Sequence, residues 1–85
     1  MDTEILIPKK FKIFVMSPSK KQMKMTVKLN TEVKKIMKVS VKKFGLKNKT
    51  LRFLYDGMRL EVGETVGLLA MEDGDVVYIE IVEKT

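Results

Sequence analysis

Apolar and polar residues alternate strictly in some stretches of the chain and recur at helical spacing in another. Phe11, Ile13 and Val15 interleave with Lys12, Phe14 and Met16, the period of two expected of a strand with one face on a core. Ser17-Pro18-Ser19-Lys20-Lys21 is a polar connection of hairpin length, with Pro18 setting the turn. Met23, Met25, Val27 and Leu29 then alternate with Lys24, Thr26 and Lys28, which predicts a second strand over 22–29 with those four apolar residues turned inward. The period changes at residue 33. Val33, Ile36, Met37, Ser40, Val41 and Phe44 fall on one helical stripe. Asn30 or Thr31 is placed to cap the helix, and Glu32 lies where the positive end of the helix dipole favours an anion. Lys38, Lys42 and Lys43 lie toward the other end, where cations are favoured. Gly45 is expected to close the helix in the left-handed conformation, with Leu46 folding back onto the last turn.

Leu51-Arg52-Phe53-Leu54-Tyr55-Asp56-Gly57-Met58-Arg59-Leu60 reads as a central strand, a two-residue turn and a short partner strand. Asp-Gly between apolar runs suits a type I′ hairpin, which needs positive φ at both central positions. Thr65 is expected to cap a single helical turn, 66–69, that buries Leu68 and Leu69. Glu72-Asp73-Gly74-Asp75 is an acidic turn. Val76 to Val82 is a last strand, with Val77, Ile79 and Ile81 on one face and Val76, Tyr78 and Glu80 on the other. Residues 1–10 read as a flexible arm in which Pro8 interrupts Ile5-Leu6-Ile7, residues 11–83 as one domain, and 84–85 as a tail. One long helix must cover one face of a mixed sheet. The predicted class is α+β, a ubiquitin-like β-grasp roll.

Composition narrows the chemistry. Eighty-five residues make one domain with a small core. Without cysteine or histidine, thiolate and imidazole ligation, disulfides and the common nucleophile–base pairs are excluded. No apolar run approaches the ~20 residues of a membrane span, and no basic region precedes Ile5-Leu6-Ile7 as a secretory signal requires. The net charge of +6 is unevenly placed. Residues 5–55 carry +14 and residues 56–85 carry −6, so one surface should attract acidic partners.

The run from Phe11 to about Glu83 resembles the SUMO branch of the ubiquitin-like family. The resemblance rests on Val27-Lys28-Leu29-Asn30-Thr31, on Leu51 through Leu60, and on Met71-Glu72-Asp73-Gly74-Asp75-Val76. It implies a non-enzymatic, intracellular protein, nuclear or cytoplasmic, that acts as a conjugated modifier or as a docking domain and needs no cofactor. Modifiers of the family end in Gly-Gly, whereas this sequence ends Ile81-Val82-Glu83-Lys84-Thr85. The expectation is therefore a docking domain, with a modifier lacking its glycine tail as the alternative.

The resemblance also implies a partner groove between the second strand and the helix. Met23, Met25, Val27 and Ile36 would form its floor, and Lys28, Lys35 and Lys43 its rim. Partners would be proteins carrying aliphatic, acid-flanked motifs, with enzymes of the SUMO pathway among them, and the chain itself is expected to be monomeric. The physics points the same way. An edge strand offers unpaired N–H and C=O groups to an added strand, Met adapts to varied partners, and lysines complement acids. Met23 and Met25 would equally fill a core margin. Two positions depart from the family pattern: Ser40 stands where an aromatic is common, and Thr26 where a lysine is common. A second surface, Phe14, Leu54, Val76 and Tyr78, is apolar on the outward sheet face. It reads either as an interface, including self-association, or as cross-strand packing. The acidic turn lacks the alternate ligand spacing and twelfth-position Glu of a calcium loop. The lysines lack an Arg-rich or aromatic nucleic-acid motif.

Overall fold

In the computed structural model, residues 9–82 are described. Five strands and one helix follow in the order β1 (Phe11–Met16), β2 (Gln22–Val27), α1 (Val33–Phe44), β3 (Leu51–Tyr55), β4 (Met58–Arg59) and β5 (Val76–Ile81). The sheet order is β2-β1-β5-β3-β4. β1 and β5 run parallel side by side, and the other neighbours are antiparallel. This is the mixed sheet with a single helix that the β-grasp expectation requires. The arm proposed over residues 1–10 and the tail over 84–85 lie outside the described residues, apart from Lys9 and Lys10.

The inward positions of the strands meet the helical stripe. Ile13, Val15, Val27, Val33, Ile36 and Val77 are buried, with Phe53, Leu60, Val66, Met71 and Ile79 completing the core. Met37 and Phe44 pack against its margin. Asp56 and Gly57 have φ of 52° and 76°, the two positive values a type I′ turn demands. Gly45 takes the left-handed conformation (φ 65°), and both its N–H and that of the buried Leu46 reach the Val41 carbonyl.

Several expectations need correction. β3 is not central, because β5 occupies the middle of the sheet and β3 lies between β5 and the two-residue β4. β2 ends at Val27, and Leu29 is 48% exposed in the following turn rather than turned inward. Thr31 does not cap α1. Its Oγ1 accepts from the Lys28 N–H at 2.8 Å, and Glu32 holds the N-cap position without a side-chain cap. Leu68 is 77% exposed and does not enter the core. The residues that do so from this segment are Val66 and Met71. Ile81, assigned to the inward face, is exposed at the end of β5.

One long-range contact explains the departures at Leu29, Thr31 and Leu68. Residues 64–67 zip against residues 29–33. The Val33 N–H donates to the Glu64 carbonyl at 2.9 Å, the Val66 N–H to Thr31 at 2.9 Å and the Gly67 N–H to Leu29 at 2.8 Å. The backbone therefore supplies at the start of α1 what a capping side chain would otherwise supply. A Cβ on Gly67 would sit 2.9 Å from the Leu29 carbonyl oxygen, so only glycine allows this approach. Thr65 does act as expected in one respect, since its Oγ1 accepts from the Leu68 N–H at 3.2 Å.

The acidic turn is tied down in the same way. The Lys12 N–H donates to Asp73 Oδ1 at 2.9 Å, and the Gly74 N–H donates to the Lys12 carbonyl at 2.8 Å. Asp75 Oδ2 accepts from the Tyr55 hydroxyl at 2.5 Å and from the Glu72 N–H at 2.8 Å.

Two predictions follow from these contacts. Gly67→Ala should cost about 1–3 kcal/mol in urea unfolding by forcing the two backbones apart, while Gly63→Ala, with open space around it, should cost far less. The Tyr55 phenol is pushed up to about 12, first by its hydrogen bond to Asp75, then by partial burial and the neighbouring carboxylates. Its folded value lies above the ordinary 10.0. The stabilisation is therefore complete below pH ~10 and is lost as pH rises through about 12. In an ultraviolet phenolate titration, Asp75→Asn should return Tyr55 toward 10.

Candidate partner groove beside the edge strand

β2 pairs with β1 on one side and stands at the end of the sheet. Its outer backbone groups therefore have no strand partner among the described residues. Met23, Met25 and Val27 turn toward the helix side, as the alternation predicts, while Gln22, Lys24 and Thr26 are exposed on the other face. Met23 and Met25 are each 8% exposed, and Val27 and Ile36 are fully buried. These four side chains thus close the core under the margin and present little open apolar surface of their own.

Two of the three rim lysines expected from the sequence, Lys35 and Lys43, lie on the helix. Lys35, Val39 and Lys43 recur every fourth residue and so make one row along α1. This row runs beside β2. Lys35 shares a hollow of about 530 Å³ with Lys10, Thr26, Lys28, Asn30, Thr31 and Glu32. Lys43 shares a smaller hollow with Lys21, the residue preceding β2. The helix is thus antiparallel to β2. Lys28 and Lys35 stand together at one end, and Lys43 lies two turns away, roughly 12 Å. The hollow at the Lys35 end holds three lysines and one carboxylate, Glu32.

Val39 was not anticipated from the sequence. It falls off the inward stripe, which selected its neighbours, and it is 37% exposed between Lys35 and Lys43. An apolar residue between two cations is the natural contact for an aliphatic segment with acids beside it. The signal that could have found it is the four-residue spacing of the rim itself. Ser40, where the family pattern favours an aromatic, is fully buried and donates its hydroxyl to the Ile36 carbonyl at 2.6 Å. It adds nothing to the open margin.

The second surface lies on the opposite face of the sheet. Phe14 pairs with Val76, Met16 with Tyr78, and Leu54 with Tyr78, so the residues singled out are immediate cross-strand neighbours. Phe14, Leu54 and Val76 are half-buried, and Tyr78 is 51% exposed. Arg52 and Glu80 stand opposite each other on the same face. The acidic residues Asp56, Glu72 and Asp75 gather around a separate hollow with Tyr55, Val76 and Tyr78. Three lysines thus gather at one hollow and three carboxylates at another. Among the described residues no helix is long and apolar enough to cross a membrane.

Comparison with known proteins bears on the family and the fold. Residues 11–82 match a family described as "Ubiquitin-2 like Rad60 SUMO-like". The chain is 34% identical over 68 residues to a "Small ubiquitin-related modifier" of Caenorhabditis elegans, covering 80% of this chain and 75% of that protein. It is 43% identical over 49 residues to "Ubiquitin-like protein pmt3/smt3" of Schizosaccharomyces pombe, covering 58% of this chain and 42% of that one. Among solved structures, a designed protein based on ubiquitin superposes with a TM-score of 0.80 at 18% identity, over 92% of this chain and 95% of its own. At that identity the likeness concerns the fold.

The division between core and rim has a measurable consequence. Val39→Asp should leave unfolding free energy within about 0.5 kcal/mol of the parent. Ile36→Ala, three residues earlier and fully buried, should cost about 2–5 kcal/mol. Chemical denaturation of both variants checks it.

Proposed function

The chain belongs to the SUMO-like branch of the ubiquitin-like family, and from that premise we propose that it is a protein-binding module. It docks short aliphatic, acid-flanked segments of partner proteins as an added strand between β2 and α1. The observation that carries this reading is the open outer edge of β2 lying beside the row Lys35, Val39 and Lys43. The edge supplies main-chain hydrogen bonds to an extended peptide. Val39 and the margins of Met23 and Met25 supply apolar contact. Lys28, Lys35 and Lys43 supply charge complementarity and faster encounter with an acidic motif. Partner proteins, enzymes of the SUMO pathway among them, are the proposed occupants, acting inside the cell.

A second reading is favoured by one comparison, the relative named as a small ubiquitin-related modifier. In that reading the domain is itself conjugated to other proteins through a glycine terminus supplied after Thr85. The protein sequence beyond Thr85, and thioester formation with a SUMO-type activating enzyme, separate the two readings. The groove serves either.

A peptide of four aliphatic residues flanked by acids should shift the amide resonances of residues 23–28 and 36–43 in an NMR titration. The paired reversal Lys28→Glu/Lys35→Glu should weaken binding by about tenfold or more and flatten its salt dependence. Absence of shifts at millimolar peptide would remove the groove from the account.

A further inference from the structure

The helix has a second flank that the β2 groove does not use. At 3.6 residues per turn, positions two apart on a helix point about 160° away from each other. Met37 and Val41 therefore lie across α1 from the row Lys35, Val39 and Lys43 and face away from β2. Of the apolar stripe expected from the sequence, Val33, Ile36 and Ser40 are buried, and Met37 and Phe44 pack against the core. Val41 is half-buried. With Met37 it opens onto a hollow of about 600 Å³, whose other lining residues are Lys38, Lys42, Gly45 and Lys47. The hollow thus has an apolar floor, three cations around it and no carboxylate among its lining residues.

Two features of this hollow specify its occupant. The first is charge. Lys38, Lys42 and Lys47 are all exposed, and no residue of α1 itself is acidic to neutralise them, so the complementary partner is acidic. The second is the backbone. An extended segment needs a strand edge to pair with. The free edge of β2 lies across the helix, and the other edge strand, β4, is two residues long. At the end of α1 the Gly45 and Leu46 N–H groups already donate to the Val41 carbonyl. The occupant must therefore satisfy its own main-chain hydrogen bonds, as a helix does. Met37 and Val41, four residues apart, form one ridge for such a helix to pack on, and Lys38 and Lys42 form the next ridge. A nucleic-acid backbone would meet the lysines but leave the apolar floor uncovered.

We propose that the Met37–Val41 hollow is a second docking site, which receives an acidic amphipathic helix of a partner protein. The apolar stripe of that helix covers Met37 and Val41, and its flanking carboxylates meet Lys38, Lys42 and Lys47. The site does not rest on the docking reading of the β2 groove. The two lie on opposite flanks of α1, so both fill at once.

The probe is a synthetic peptide of about 20 residues, long enough to be helical alone, with leucines on one face and glutamates beside them. A control peptide has the same composition with its leucines scattered around the helix. At physiological salt the probe should shift the amide resonances of residues 37–47, and the control should bind at least tenfold more weakly. Lys38→Glu/Lys42→Glu should weaken the probe tenfold or more, and Val41→Ala about fivefold. Lys28→Glu/Lys35→Glu, on the other flank, should change it less than twofold. The amide pattern of β1 and β5 reports that each variant keeps the fold. Absence of shifts at millimolar probe would overturn the proposal and leave the β2 groove untouched. Equal binding of probe and control, or equal losses in the two lysine pairs, would overturn it by reducing the effect to diffuse charge. Vesicles of anionic lipid that bind the chain more tightly than the probe, and release it in Lys38→Glu/Lys42→Glu, would overturn it by assigning the hollow to a membrane surface.

Discussion

The structure depends on how little cover a single helix can give a five-stranded sheet. Five strands at ~4.8 Å spacing measure about 19 Å between the outer axes, and a helix with its side chains is only about 10–12 Å across. α1 cannot roof the whole sheet. Leu60, Val66 and Met71, on the segment between β4 and β5, bury themselves to complete the cover. The outer edge of β2 is left over. It is six residues long, whereas the opposite edge strand, β4, has only two. The long free edge is therefore on the basic side of the molecule, against the lysine row of α1. Among the described residues it is the one long strand edge open to another segment.

The same constraint explains why residues 64–67 matter to the groove. They fasten the 28–33 turn to the body of the domain through backbone hydrogen bonds. That turn carries Lys28 and starts the helix that carries Lys35. The rim is thus positioned by a contact that spans more than thirty residues of sequence, and Gly67 is its tightest point. The acidic turn is fastened separately, through Lys12, Tyr55 and Asp75. The lysines Lys10, Lys28 and Lys35 and the carboxylates Asp56, Glu72 and Asp75 are held at distinct hollows, with Glu32 the one acid on the lysine side.

Local patterning was enough for most of the fold. The alternation of Phe11, Ile13 and Val15, the stripe from Val33 to Phe44, the left-handed Gly45 and the Asp56-Gly57 turn are each dictated by neighbours in sequence, and each is found. Three of the failures share a physical cause. Leu29, Thr31 and Leu68 were assigned from local rules for strands, caps and turns, yet Leu29 and Thr31 lie where residues 29–33 meet residues 64–67, and Leu68 follows directly after. There a backbone partner from far along the chain replaces the local solution. β3 looked central because its apolar run demands cover, but position in a sheet is set by pairing, which composition does not encode. Of the proposed groove, the family resemblance named Lys28, Lys35 and Lys43, which the structure places around two hollows along one margin. Val39 was not named, since a search for the inward stripe passes over an apolar residue on the flank.

The central claim is that the outer edge of β2 accepts a strand. Intermolecular NOEs between the isotope-labelled chain and an unlabelled aliphatic, acid-flanked peptide test it most directly. The account predicts backbone-to-backbone NOEs along residues 22–28, with side-chain NOEs to Val39 and slowed amide exchange on the outer edge of β2. NOEs confined to Phe14, Leu54 and Tyr78 on the opposite face, with β2 exchange unchanged, would contradict it.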